Sequence, residues 1–192
     1  MGLKSALVAL NSKKSINSNI EHAYTMFELG SLSYFQGTAS GVENITFNSI
    51  YKYECIVHNH LKTPIPSPQD IIALHKAYQT GSFSQGSYIL MQTDEGTMSI
   101  EIDNWEQFDS FVTSSFVDKK SIDNFIYAFD KYILNNPTDS ELQDRITIDK
   151  AINFYTKDKG LKIAYTVSDG TGIDWAYASQ YDNQLIFKDC TL

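Results

Sequence analysis

Apolar positions along this chain switch between a helical and an alternating period, and the switches mark out the elements. Residues 3–14 put Leu3, Ala6, Leu7 and Leu10 at helical spacing, which predicts an amphipathic helix. Residues 20–28 and 31–37 are rich in aromatic and β-favouring side chains and are parted by Leu29-Gly30, so a hairpin is expected, with a loop over Gly37–Gly41. Residues 50–60, IYKYECIVHNH, read as a buried strand. Period-two alternation puts Ile56, His58 and His60 on one face and Cys55, Val57 and Asn59 on the other. After a Pro-rich loop, Ser67 has the position of a helix N-cap, Pro68 the first helical position and Asp70 the first turn. Ile71, Leu74 and Tyr78 form that helix's apolar stripe, and Gly81 ends it.

Further along, 87–93 and 97–102 flank Asp94-Glu95-Gly96 and predict a second hairpin. Helices are expected over 104–116 and 120–134, with Trp105, Phe108, Phe125, Phe129 and Tyr132 on their apolar faces. Asn135-Asn136-Pro137 breaks the chain, and Thr138 can cap one more helix to about Lys157. Strand-like alternation returns over 161–167 and 174–187, around the turn Ser168–Gly172. The succession of strands, helix, strands and helices predicts a single α/β (α+β) domain, a mixed sheet flanked by helices.

Composition narrows the function classes. With 42% hydrophobic and 20% charged residues over 192 positions, the chain has material for one well-packed core. A net charge of -8 argues against nucleic acid or an anionic membrane as partner, since no basic excess is available to displace counterions. No apolar stretch is long enough to span a bilayer. The first helix starts almost at Met1 without a signal-peptide h-region, as expected of a domain excised from a larger protein, and the compartment stays open. Cys55, inside the apolar strand, reads as a small buried thiol, and Cys55 with Cys190 does not make a disulfide framework.

The candidate chemistry lies in Val57–Asp70. Two histidines on one strand face can reach one ion, and an Asp in the next helix's first turn can close a third side. Two imidazoles, a carboxylate and an open fourth position are the usual ligand set of catalytic zinc. The same Ser67-Pro68-Gln69-Asp70 also has the spacing of a capping box, which requires no function. An HNH nuclease is disfavoured because its His, Asn and His do not stand consecutively on one strand. A zinc nucleobase deaminase is disfavoured because neither H-x-E nor P-C-x-x-C occurs. His22 and His75 have weaker claims; His75, one turn beyond Asp70, is expected at the surface.

His-x-His at a strand end, a short loop and Ser-x-x-Asp opening a helix resemble the signature of the JAMM (JAB/MPN-type) zinc metallopeptidases. The wording HNHL-KTPI-PSPQDI is close to their bacterial RadC branch, with Leu61 in place of a Pro and a loop one residue shorter. A looser likeness is to JAB-related domains of bacterial polymorphic-toxin and repeat proteins. The resemblance covers about residues 16–135, leaving 138–192 as a C-terminal extension, and it implies a JAB/MPN (cytidine-deaminase-like) architecture. It further implies Zn2+ held by His58, His60 and Asp70, and a protein or peptide substrate cut at a peptide or isopeptide bond. Ser67 would stabilise the oxyanion, and an upstream glutamate would serve as general base. Glu21, at the start of the first strand, is the candidate, with Glu28 next; Glu54 shares the histidines' strand face but lies toward its far end, and Glu43 falls in a loop. The alternative is a catalytically inactive binding or assembly module of the same fold.

Overall fold

The computed structural model describes residues 3–42, 45–61, 65–94, 96–134, 143–167, 175–181 and 184–190. Its elements run α1 (Leu3–Ile16), β1 (His22–Phe27), β2 (Leu32–Gln36), β3 (Tyr53–Asn59), α2 (Pro68–Gln79), β4 (Tyr88–Gln92) and β5 (Gly96–Ile102). Then follow α3 (Trp105–Ser115), α4 (Lys119–Leu134), α5 (Gln143–Thr156), β6 (Leu161–Val167), β7 (Trp175–Tyr181) and β8 (Gln184–Cys190). The class is α+β, as the periodicity predicts. Thr138, Glu43 and the turn 168–172 lie outside the described residues.

One mixed sheet carries the fold, in the order β2-β1-β3-β4-β5-β6-β7-β8. All neighbours are antiparallel except β3 and β4, which run parallel because α2 joins them. The alternation read from β3 sorts its side chains between two apolar layers. Cys55 and Val57, with Met26 and Leu90, pack under Ala6, Leu7 and Leu10 of α1. On the opposite face Ile56, Ile89 and Met91 pack under Ile71 and Leu74 of α2, in a larger core shared with Phe108, Phe125 and Ile152. Burying Ile71 and Leu74 contributes about 1.5–3 kcal/mol each, so α2 is fixed by its inner stripe. Gly81 ends it in a left-handed conformation, φ 72°.

α5 and β6 belong to this core. β6 pairs with β5 along seven positions, from Gly96↔Val167 to Ile102↔Leu161, and Ile152, Tyr155, Leu161, Ile163 and Tyr165 join the larger cluster. The stretch 174–187, read as one strand-like run, holds β7 and the first part of β8.

Strict alternation fails at one place on β3. Met26 faces Cys55 while Phe27 faces Tyr53, so Glu54 is an extra residue with no partner on β1. This bulge corrects the reading of Glu54: it does not share the histidines' face but is exposed, and Tyr53 takes the inward position.

Candidate metal centre

His58 is the sixth residue of β3 and His60 stands just past its end, where its N–H bonds the Gln92 carbonyl at 2.9 Å. Ser67 and Pro68 set where α2 begins, and hence where Asp70 points. The three side chains meet. Asp70 Oδ1 lies 3.0 Å from His58 Nε2, and Asp70 Oδ2 lies 3.3 Å from His60 Nε2. One ligand atom from each residue falls within 4.8 Å of the other two, so the group can hold a metal ion. Ligands about 2.0–2.1 Å from a tetrahedral ion stand about 3.4 Å apart, close to both His–Asp separations. Side-chain exposures of 8, 11 and 10% for His58, His60 and Asp70 keep the cluster largely out of bulk water.

The capping box is present as well, and its use of Asp70 is compatible with ligation. The Ser67 N–H donates to Asp70 Oδ2 at 2.6 Å, the Ser67 hydroxyl donates to the same oxygen at 2.7 Å, and the Asp70 N–H donates to Ser67 Oγ at 3.3 Å. Oδ2 is thereby engaged by the helix start, while Oδ1 stands beside His58. An outer partner on one carboxylate oxygen is what orients the other toward an ion. The Ser67 proton is committed to Asp70, however, so an oxyanion role requires the hydroxyl to turn away. Burial pushes the Asp70 carboxyl up, but the charge and hydrogen bonds of His58 and His60 outweigh it and hold the group well below the usual carboxylate range.

Glu21 faces this centre. Ala23 is directly opposite His58, and stepping two residues back along β1 and two forward along β3 sets Glu21 across from His60 on the same face. Glu21 lines the same cleft as His58, His60, Ser67 and Asp70. Burial raises its pKa; the charges of His58 and His60 oppose the rise and that of Asp70 adds to it. Glu28 is exposed at the other end of β1, beside Ser84 at 3.4 Å, and so is remote from the histidines.

What holds Glu21 in place was not legible as function in the sequence. Asn59, the middle residue of His-Asn-His, is fully buried on the far face of β3. Its Oδ1 accepts the His22 N–H at 2.6 Å and its Nδ2 donates to the Ile20 carbonyl at 3.3 Å, gripping the backbone on both sides of Glu21. Gly37 completes the hold: its N–H donates to the Glu21 carbonyl at 2.8 Å, and the Glu21 N–H donates to Thr38 at 2.9 Å. A Cβ on Gly37 would meet the Gly41 carbonyl and come within 2.9 Å of the Glu21 carbonyl, so this close approach requires glycine.

The other histidines lie elsewhere. His22 is buried, with Nδ1 2.8 Å from the Tyr34 hydroxyl and Nε2 3.0 Å from the Asn17 carbonyl. His75, expected at the surface, is instead buried, because Trp105 stacks on its ring at 5.3 Å and Asp109 takes its Nε2 at 2.7 Å. Cys55 is a buried free thiol whose pKa burial pushes up to about 12.

Comparison with known protein families, with curated proteins and with solved structures found no match for this chain.

Proposed function

We propose that this chain is a zinc-dependent hydrolase of peptide or isopeptide bonds, of the JAMM type its motif resembles. One observation carries the reading: two imidazole nitrogens and a carboxylate converge at a strand end, and a second carboxylate outside that group, Glu21, lines the same cleft. Zinc in such a ligand set supplies a Lewis acid and brings the pKa of a water to about 7. His58, His60 and Asp70 would hold the ion, with Ser67 fixing the orientation of Asp70 through Oδ2. Glu21 accepts a proton from the attacking water and returns it to the leaving amine, and the burial that raises its pKa makes it the stronger base. Ser67 could donate to the developing oxyanion once its hydroxyl has turned from Asp70.

The second reading is an inactive binding or assembly module, and one observation favours it: the Ser67 proton is already used within the capping box. Metal analysis of the purified protein, paired with hydrolysis of peptide and isopeptide substrates, separates the two. One zinc per chain, lost in His58→Ala, together with hydrolysis lost in Glu21→Gln, supports the enzyme. Zinc without any hydrolysis supports the module, and a protein that takes up no zinc ends the metallopeptidase reading.

A further inference from the structure

Beyond the metal centre the cleft, about 810 Å³ in volume, opens into an apolar lobe. Along one wall α2 presents Gln69, Ile72, Ala73 and Lys76, spaced i, i+3, i+4 and i+7 and therefore a single flank of the helix. The inner stripe of α2 is spent on the core. Ile72, on this second flank, is half-buried, belongs to neither apolar cluster among the described residues, and lines the cleft. Ile45 and Phe47 line the cleft as well, and Ile56 and Ile89, paired across β3 and β4, line it on the sheet.

We propose that this lobe is a subsite for a large apolar side chain of an extended peptide, within two residues of the bond cut at the His58–His60–Asp70 centre. The inference rests on the hydrolase reading, and its spacing comes from the strand. Ile56 precedes His58 by two residues on the same face, about 7 Å, which is the span of two residues of extended peptide. The volume exceeds what one side chain needs and suits several residues of a bound segment. Lys76 gives the segment a direction. It stands six residues along α2 from Asp70, about 9 Å, and is the Lys among the described lining residues, so an acidic side chain beyond the apolar one meets it. The occupant is thus an extended peptide with a Leu- or Phe-sized residue beside the cut and a carboxylate further out.

The test uses dye-labelled Gly/Ser decapeptides that carry a Leu, or a Ser in its place, with and without a Glu three residues away. Binding is read by fluorescence anisotropy on zinc-loaded and on chelator-treated protein, and cleavage sites are mapped by mass spectrometry. The Leu peptides should bind about tenfold to a hundredfold tighter than the Ser peptides in both metal states. Cleavage should fall within two residues of the Leu. Ile72→Asp, at a half-exposed position, should erase the preference without changing zinc content, and Phe47→Ala should reduce it. Equal binding of Leu and Ser peptides, or a preference untouched by both variants, overturns the subsite. Tighter binding of a dye-labelled fatty acid than of any peptide overturns it in favour of a lipid ligand. Cleavage without the Leu preference leaves the hydrolase standing and removes the subsite. The preference without zinc or cleavage does the reverse.

Discussion

Asn59 Oδ1 accepts the His22 N–H at 2.6 Å, a bond from the centre of the His-Asn-His run to the residue after Glu21. The other end of the same amide holds the Ile20 carbonyl, so one buried side chain fixes both flanks of the candidate general base. The histidines face the cleft and Asn59 faces α1's side of the sheet, so Asn59 acts on Glu21 only through the backbone. Asn59→Asp keeps the acceptor and loses the donor, and should lower kcat with little change in KM while zinc stays at one per chain. Asn59→Ala leaves the buried His22 N–H without its partner, at a cost of about 1–3 kcal/mol, and the part-buried Ile20 carbonyl adds less because water can reach it. Thermal melts and steady-state kinetics read the two effects separately. Parent-like kcat in Asn59→Asp would mean that Glu21 does not depend on this grip.

Substitutions at Ser67 and Asp70 should separate the cap from the ligand, because the cap engages Oδ2 while Oδ1 stands beside His58 Nε2. Ser67→Ala removes the N-cap acceptor and one donor to Oδ2 but leaves the backbone N–H. It should cost about 0.5–2 kcal/mol of stability and weaken zinc about tenfold to a hundredfold without abolishing it. Asp70→Asn keeps a capping side chain and removes the charge, and should lose stoichiometric zinc with a smaller change in melting temperature. Zinc held at parent affinity by Asp70→Asn, measured by competition with a chromogenic chelator, would leave Asp70 as a cap alone.

Much of this centre is written in local sequence, and the remainder depends on distant chain. The face-sharing of His58 and Ile56 follows from strand period, and the helix start follows from Ser67-Pro68. The choice of Glu21 over Glu28 needed the register of β1 against β3, which puts the two glutamates at opposite ends of β1. Strict alternation misplaces Glu54 because a bulge adds one residue and reverses the faces, and the sequence carries no Gly or Pro there to mark it. His75 looked like a surface residue because its partners, Trp105 and Asp109, come from the following helix α3 across the α2–α3 contact. Asn59 carries no signal in the sequence, because its work is done on backbone groups, which no side-chain motif displays.

The raised pKa of Glu21, caused first by burial, has a consequence for the metal-free protein. When the folded pKa lies above the unfolded one, folding favours the protonated carboxyl. The associated stability is complete below the unfolded value, about 4.3, and is lost as pH rises through the folded value. At pH 7 the ionised Glu21 therefore weighs against the metal-free fold, and Glu21→Gln should melt higher than the parent there but not at pH 4. Each kcal/mol recovered corresponds to about 2–4 °C in a chain of this size. A bound cation reverses the electrostatics by favouring the carboxylate, so zinc should shrink the advantage of Gln. A shift of equal size at both pH values, unresponsive to zinc, would place Glu21 away from the metal.

Tyr155 links the last helix to the centre. Its hydroxyl donates to the Pro66 carbonyl at 2.7 Å across 89 residues of sequence, one residue before the cap that orients Asp70. The side chain is 1% exposed, and burial followed by the negative charge of Asp70 pushes its phenol up, so the hydroxyl keeps its proton and remains a donor. Tyr155→Phe preserves the ring packed against Phe125 and Phe129 and removes only the bond. The Pro66 carbonyl, buried with its residue, then loses this partner at a cost of about 1–3 kcal/mol, or about 2–12 °C in melting temperature. Because Pro66 leads directly into Ser67, the loosened loop should also release zinc faster and weaken its affinity about tenfold. Saturating zinc should restore part of the lost melting temperature, since an ion held by the assembled site would favour the folded state. Chelator competition and thermal melts with and without zinc decide the matter. A lower melting temperature with zinc affinity intact would make Tyr155 a core residue only, and parent-like values of both would show that the loop keeps its place without the bond.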